Sequence, residues 1–426
     1  MTISRRNFLG SSALAFAGSV LTSAGKGTER WRGWKPGEFQ IHMIHTGVAE
    51  SQFLVFPDGT SMLVDCGDHP ALTRLELSVP VKPNPGRLAG DWIARYVRQV
   101  NPRGDCVDYL EPSHWHADHT GSPGWTSLAP SKVKTGLVRS GFGLAAEQLH
   151  FSRAVDRGWP DYDDPLPPGH GESPGVIDHM RAVYGFLAKR DGLTVERFRL
   201  GAKDQIVCRH GAAADFSVFN LCGNGRVAMR DGSVRDFYAD LRRDGWKSDR
   251  LNENALSLGH VFSYGRFRYF TAGDASEWYC FRSGVRRELE EDLADALEPV
   301  SVAKVCHHGH HCMPAKLVAA LRPQVWLASV WDQLHMTPDT LRRLSDRAAY
   351  GGRKDVLVCP GVFPRERMDR ESSEPYFRDL APECLGGGCH AVVTVAPGGA
   401  LFDVDFLSAE DESLRVVGHR SFEVEG

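Results

Sequence analysis

The chain predicts an α/β (α+β) fold: two mixed sheets packed face to face with helices outside, a four-layer αββα sandwich. Three observations lead there. Strand-like segments fall into two groups along the 426 residues, and each group brings its own helices. Neither an internal repeat nor a linker separates the groups, so one domain over 38–426 fits better than the three that length alone would suggest. The composition, 42% hydrophobic and 24% charged, excludes wholesale disorder and a multi-span membrane protein.

The elements follow in order. Gln40 to Ile44 reads as a strand. The segments 52–56 and 61–65 flank Asp58-Gly59, a hairpin signal. Ile93, Tyr96, Val97 and Val100 repeat at helical spacing within 91–100. Asp108 to Leu110 is a short strand. The stretch 142–192 is rich in Gly, Pro and Asp and reads as a loop-rich insertion, with a helix over 178–189. Strands are predicted at 196–200, 204–208 and 216–221. The segments 254–264 and 266–272 pair around Tyr264-Gly265. A helix at 284–297, a strand at 302–306, a helix at 314–321, a strand at 325–330 and a helix at 338–346 complete the second group. A C-terminal extension near 355–426 holds a hairpin, 391–395 with 400–406, around Gly398-Gly399.

The N-terminus reads as an address. Arg5-Arg6, then Phe8-Leu9, then an apolar small-residue run ending near Ala24, resembles a twin-arginine (Tat) export signal over residues 1–25. The run is too short and too rich in Gly and Ser for a stable membrane span. The resemblance implies export in the folded state through the Tat translocase to the periplasm or the medium. Loss of residues 1–24 removes Arg5 and Arg6 and no acid, moving the net charge from −4 to −6. That acidic balance disfavours nucleic acid as partner. Ten cysteines are too few for a disulfide scaffold, although Cys384 and Cys389 bracket Leu-Gly-Gly-Gly, a stretch able to close a small disulfide loop.

His114-Trp115-His116-Ala117-Asp118-His119 carries the chemistry. In an extended segment, side chains two apart share a face, so His114, His116 and Asp118 converge, with His119 following at the turn. Imidazole nitrogens and carboxylate oxygens are the ligands zinc takes. The segment resembles the HxHxDH signature of the metallo-β-lactamase-fold hydrolases. Three other stretches match that family in order: Leu63-Val64-Asp65-Cys66-Gly67, Thr271-Ala272-Gly273-Asp274 and Val305-Cys306-His307-His308-Gly309. Within the family the chain is similar to the ComEC-like subgroup through His42-Met-Ile-His45-Thr-Gly47-Val-Ala-Glu50, Asn254-Ala-Leu-Ser257-Leu, Lys304-Val-Cys-His307-His308-Gly309-His310 and His335-Met-Thr-Pro338. The opening loop departs from the subgroup, with Glu50 where an Asp is usual. Asn254 stands where the wider family places a third-motif His.

The resemblance implies roles. His114 and His116 hold one ion; Asp118, His119 and His307 hold a second; Asp274 bridges. Asp65 hydrogen-bonds a ligand histidine or, as the alternative, binds metal itself, and Asn254 is a supporting residue or weak ligand in the same way. Asp118 orients water, His308 contacts substrate or supports a ligand, and His335 serves as proton donor or phosphate contact. The cofactor is one or two zinc ions, with manganese or iron as alternatives. The implied activity is hydrolysis by a metal-bound hydroxide on a small-molecule substrate, a phosphodiester or related ester. Hydrolysis of a carboxylic ester, lactone or β-lactam is the first alternative, and a non-catalytic metal-binding protein on the same fold is the second.

Overall fold

The computed structural model of the chain describes residues 29–69, 79–123, 136–173, 175–246, 252–351 and 355–425. The leader at 1–25 lies outside the described residues. The first group of strands is β1 (Phe39–Met43), β2 (Gln52–Val55), β3 (Ser61–Val64), β4 (Cys106–Glu111), β5 (His150–Asp156) and β6 (Thr194–Arg197). The second is β7 (Phe216–Gly223), β8 (Arg226–Ala228), β9 (Val234–Asp236), β10 (Gly259–Tyr264), β11 (Phe267–Thr271), β12 (Trp278–Cys280), β13 (Arg286–Glu288), β14 (Val302–Lys304), β15 (Val325–Leu327) and β16 (Leu357–Cys359). The C-terminal strands β17 (Cys389–Val395), β18 (Leu401–Ser408) and β19 (Val416–Glu423) return to the first sheet.

That sheet runs β19-β18-β17-β1-β2-β3-β4-β5-β6, antiparallel as far as β3 and parallel beyond it. The second runs β16-β15-β14-β11-β10-β7-β8-β9, and β12 pairs only with β13. Alternation sorts the side chains into layers. Phe39, Ile41, Leu54 and Met62 turn inward and meet Phe262, Phe267, Tyr269 and Val325 of the other sheet. The opposite faces carry Phe53, Leu63 and Leu110, which pack under helices α1 (Ala89–Val100), α3 (Phe142–Gln148) and α4 (Val176–Asp191). The one-turn helix α2 (Ala117–Thr120) lies between. Leu221, Phe270 and Ala303 of the second sheet pack under α5 (Phe237–Arg243), α6 (Leu289–Ala296), α7 (Ala315–Leu321) and α8 (Pro338–Leu344), followed in the chain by α9 (Arg365–Glu371). Three apolar layers between two sheets and two helical faces make an αββα sandwich.

Four segments differ from the sequence expectation. Residues 204–208 form no strand: the Gln205 side chain bonds the Arg197 carbonyl and Asn220, and Val207 is exposed, so no alternating face exists. The helix expected at 284–297 starts only at Leu289, because Arg286 to Glu288 pair with β12. The stretch 142–192 supplies α3, β5 and α4; β5 pairs with β4 and β6 as part of the parallel half. The C-terminal hairpin gains a third strand, β19.

Three histidines are buried where β1 meets β17. His42 lies beside Tyr96 of α1, with Nδ1 3.0 Å from the phenol oxygen, and the Tyr96 and His390 rings are 4.6 Å apart. The His45 backbone N–H donates to His390 Nδ1 at 3.0 Å, a bond that protonation of Nδ1 would break. Burial pushes His42, His45 and His390 down to about 3. The unfolded chain therefore holds more protons than the folded one between roughly pH 6.5 and pH 3. This contribution to stability is complete above pH 6.5 and is lost as pH falls toward 3. His390→Asn, which keeps an acceptor for His45 without titrating, should remove about 1.4 kcal/mol per pH unit from that decline. Urea titrations at several pH values would measure it; an unchanged slope would remove His390 from the acid response.

Candidate metal centre

The centre forms where the strands of both sheets end. Asp65 leaves β3 with a left-handed backbone (φ 62°) and is fully buried. Its Oδ1 accepts the Ser113 backbone N–H at 2.7 Å, and its Oδ2 accepts the Ser113 hydroxyl and His119 Nδ1–H at 2.8 Å each. A carboxylate only accepts, so His119 carries its proton on Nδ1 and turns Nε2 inward. That Nε2 lies 3.2 Å from Asp274 Oδ2 and 3.7 Å from Asp118 Oδ2. Gly67 lets this turn dock on the histidine loop: a Cβ there would lie 1.6 Å from the Asp118 carbonyl oxygen.

His308 is set in the same manner from the second sheet. Its Nδ1–H donates to the Ser329 carbonyl at 2.9 Å, and Nε2 points to Asp118 Oδ2 at 3.1 Å and Asp274 Oδ2 at 3.3 Å. Glu50 enters from the β1–β2 loop. Ligand atoms of Glu50, His119, Asp274 and His308 all lie within 4.8 Å of one another, and all four residues are buried. His114 Nε2 and His116 Nδ1 converge to 3.1 Å beside them. Two nitrogens on one tetrahedral zinc would lie about 3.3 Å apart, given Zn–N bonds of about 2.0–2.1 Å.

His307 stands apart from the tight group. Its Nε2 accepts from Asn254 Nδ2 at 3.1 Å and its Nδ1 faces the Ser276 hydroxyl at 3.3 Å. Asn254 thus spends its amide on His307, and its Oδ1 is buried with no partner. His335 stacks on His308 with ring centroids 4.8 Å apart and packs against Trp331. The fold therefore gathers His114, His116, Asp118, His119, Asp274 and His308, with Asp65 behind His119. It places His307 and Asn254 together at one side and His335 behind His308.

Sequence reasoning gave no role in the centre to Glu50, Lys304, Arg157 or Glu253. Glu50 and Lys304 were visible only as motif letters. Lys304 is fully buried and donates to Glu50 Oε1 at 2.9 Å and to the Gly273 carbonyl at 2.6 Å, with Asp274 Oδ1 at 3.7 Å. Glu253 accepts the Trp115 N–H and binds Arg157 through both oxygens; Arg157 stacks on Trp115 at 3.6 Å. This pair ties the histidine loop to the short turn Glu253–Leu256 that carries Asn254.

The donor set suits a divalent ion. Glu50 Oε2 and Asp274 Oδ1 are buried without a hydrogen-bond partner, a costly state that a cation would relieve. Protons partly meet the same need when no ion is present. Burial lowers the His119 imidazole, but Asp274, Asp118 and Asp65 outweigh it and hold the pKa well above normal. His308 is likewise lowered by burial and raised, to about 10 in net, by Asp274, Asp118 and Glu50. Burial raises Asp118 and Asp274, and the two imidazoles more than reverse it, leaving both carboxylates well below their usual range. A cage that demands this much positive charge fits a metal ion.

Beside His307 opens a cavity of about 690 Å³, lined by Trp278, Arg286, Glu288, His310, His311 and Arg343 among others. No helix among the described residues is long and apolar enough to cross a membrane.

No protein-family model and no curated protein matches the chain. Among solved structures, the chain is similar to a "Putative metal-dependent hydrolase" from Parabacteroides distasonis. Identity is 12%, the TM-score is 0.30, and the match covers 80% of this chain and 98% of that one.

Lys304→Met removes the one lysine paired with Glu50 and Asp274. In metal-free protein this should cost about 3–5 kcal/mol of unfolding free energy, because it strands buried carboxylates. Added zinc should restore part of the loss. Urea denaturation with and without metal tests both; a metal-free variant as stable as wild type would show that Lys304 does not carry the charge balance.

Proposed function

We propose that this chain is a metal-dependent hydrolase of the metallo-β-lactamase fold, exported through the Tat pathway and acting on a phosphodiester or related ester. The observation that carries the reading is the buried group Glu50, His119, Asp274 and His308. It holds two unpartnered carboxylate oxygens and two imidazoles whose outer nitrogens are pinned by Asp65 and the Ser329 carbonyl. Divalent zinc, manganese or iron suits these ligands. When bound, such an ion polarises a scissile carbonyl or phosphoryl group and acidifies water.

The chain's own residues do the rest. His119, His308, Asp274 and Glu50 would hold an ion, and His114 and His116 would offer two further nitrogens beside it. Asp118 is the most exposed of the cluster's acids, with 13% of its side chain accessible against 3% for Asp274 and none for Glu50. It is therefore placed to orient a water molecule while its Oδ2 faces His308. Burial and His308 hold the His335 imidazole, stacked on His308, well below its usual pKa, so it meets a substrate as a neutral contact. The cavity beside His307 has the volume of a small-molecule site.

Its lining favours a second reading of the substrate. Its acids Glu288 and Asp339 match its guanidinium groups Arg286 and Arg343 in number, and burial raises Glu277 and takes Glu290 up to about 8. The wall therefore carries no excess of positive charge to draw a phosphate anion and leaves room for a carboxylic ester, lactone or β-lactam. Asn254 in the third-histidine place favours the non-catalytic alternative, a metal-binding protein on this fold.

Metal per chain tests the ligand cage, and turnover then separates the enzyme from the non-catalytic metal-binding alternative. Plasma mass spectrometry on protein purified without chelator or His tag should find one or two equivalents. A panel of bis(4-nitrophenyl) phosphate, 4-nitrophenyl acetate, a lactone and a chromogenic β-lactam should then reveal chelator-sensitive turnover. Asp274→Ala should lose metal and at least 100-fold in activity. His308→Ala should lose a metal equivalent, whereas His307→Ala should keep its metal and alter KM. Absence of metal, with no uptake on reconstitution, would sink the hydrolase reading.

A further inference from the structure

Cys384 and Cys389 are not part of the metal group, and nothing in the proposed reaction uses them. Cys384 closes a one-turn helix, Pro382–Cys384, and Cys389 opens β17. Both are fully buried, and their sulfur atoms are 3.1 Å apart. The chain returns on itself between them through Leu385-Gly386-Gly387-Gly388, with Gly386 and Gly388 in the left-handed region (φ 83° and 80°). That conformation comes without penalty only to glycine.

Backbone bonds fix the approach independently of the sulfurs. The Phe363 N–H donates to the Cys384 carbonyl at 2.8 Å, and the Cys389 N–H donates to the Gly361 carbonyl at 2.8 Å. Both cysteines are thus clipped to one three-residue segment, Gly361 to Phe363. A sequence separation of five residues and a contact already closer than two sulfur radii leave little chain entropy to lose on bonding.

We propose that Cys384 and Cys389 are a covalent cross-link site, joined as an intramolecular disulfide once the chain stands in an oxidising environment. Two S–H bonds break and one S–S bond forms. The two electrons and, by way of solvent, the two protons pass to a low-molecular-weight disulfide, which is reduced to two thiols. Burial holds the Cys389 thiol well above its usual pKa. Thiolate attack therefore needs a transient opening of the Gly-rich return, and the closed fold then shields the bond.

The link would brace a neighbour of the metal centre. A Cβ on Gly388 would sit 2.9 Å from the His45 ring, and His390, next after Cys389, accepts the His45 N–H. His45 opens the loop that delivers Glu50. The cross-link itself does not depend on the hydrolase reading, since its evidence is the thiol pair alone.

A third sulfur makes the pairing testable. Cys359 is buried in the same core layer, and its thiol is pushed up by burial and by Cys384. The full chain is folded in a buffer of oxidised and reduced glutathione, then unfolded without reductant and alkylated. Of the ten cysteines, eight should take the label, and digestion should yield a Cys384–Cys389 peptide 2 Da lighter than its reduced form. Cys384→Ser should release Cys389 to labelling and add no other link. Ten labelled cysteines, or a link from Cys359 to either partner, would overturn the assignment. Because the readout is the peptide map of wild-type protein, it stands even if the serine variant folds poorly.

Discussion

Asp65 is buried at the end of β3 with both oxygens committed, and the centre's geometry depends on those bonds. The parallel pairing of β3 with β4 sets Val64 opposite Glu111, and the Asp65 N–H continues the ladder to the Glu111 carbonyl at 2.9 Å. The two strands end together, so Asp65 faces Ser113 across the ladder end. Holding Ser113 by backbone and hydroxyl fixes the start of the histidine loop; holding His119 Nδ1 fixes its end. The residues between have few conformations left. Gly67 completes the constraint from the other side, since any side chain there would overlap the Asp118 carbonyl.

Charge explains the rest of the arrangement. Asp65, Asp118, Asp274 and Glu50 sit within one buried region, and burying four carboxylates without compensation is prohibitive. Lys304 answers Glu50 and part of Asp274, and hydroxyl and backbone donors answer Asp65. Asp118 and the remainder of Asp274 face His119 and His308. These carboxylates hold both imidazoles well above the usual histidine pKa. The Lys304–Glu50 pair offsets part of the negative charge and leaves the inward-facing nitrogens of His119 and His308 to the aspartates.

The sequence showed the fold class because alternation in β1, β2, β3, β10 and β11 is strong, and it showed the histidine loop because ligand-type residues recur two apart. Asp65, Asp274 and the His307-His308 pair were legible as strand-end motifs. Three kinds of information were not. Which of two adjacent histidines turns inward depends on backbone torsion: His307 and His308 both have positive φ, and only the Ser329 carbonyl and the Asn254 amide distinguish them. Glu50 joins the centre through a loop whose path depends on β17, some 340 residues away in sequence. Segments 204–208 and 284–288 misled because their local propensity yields to long-range contacts: Gln205 with Asn220, and Arg286 with Cys280.

Reactivity and selectivity reside in separate layers of this design. The ligand group is deeply buried and chemically generic, so it selects no substrate by itself. Discrimination falls to what lies outside, and the nearest structure is the β12–β13 hairpin, which begins four residues after Asp274. It presents Trp278, 53% exposed, with the Arg286 guanidinium 4.5 Å above the indole ring. Ser276 couples the layers: its hydroxyl donates to the Asp274 carbonyl and faces His307 Nδ1. A substrate pressing on the hairpin or on His307 therefore acts on the backbone that carries Asp274. Asn254 gains meaning in that setting. Its amide holds the His307 imidazole in the cavity wall, so Asn254 acts on the cavity rather than on the ligand group.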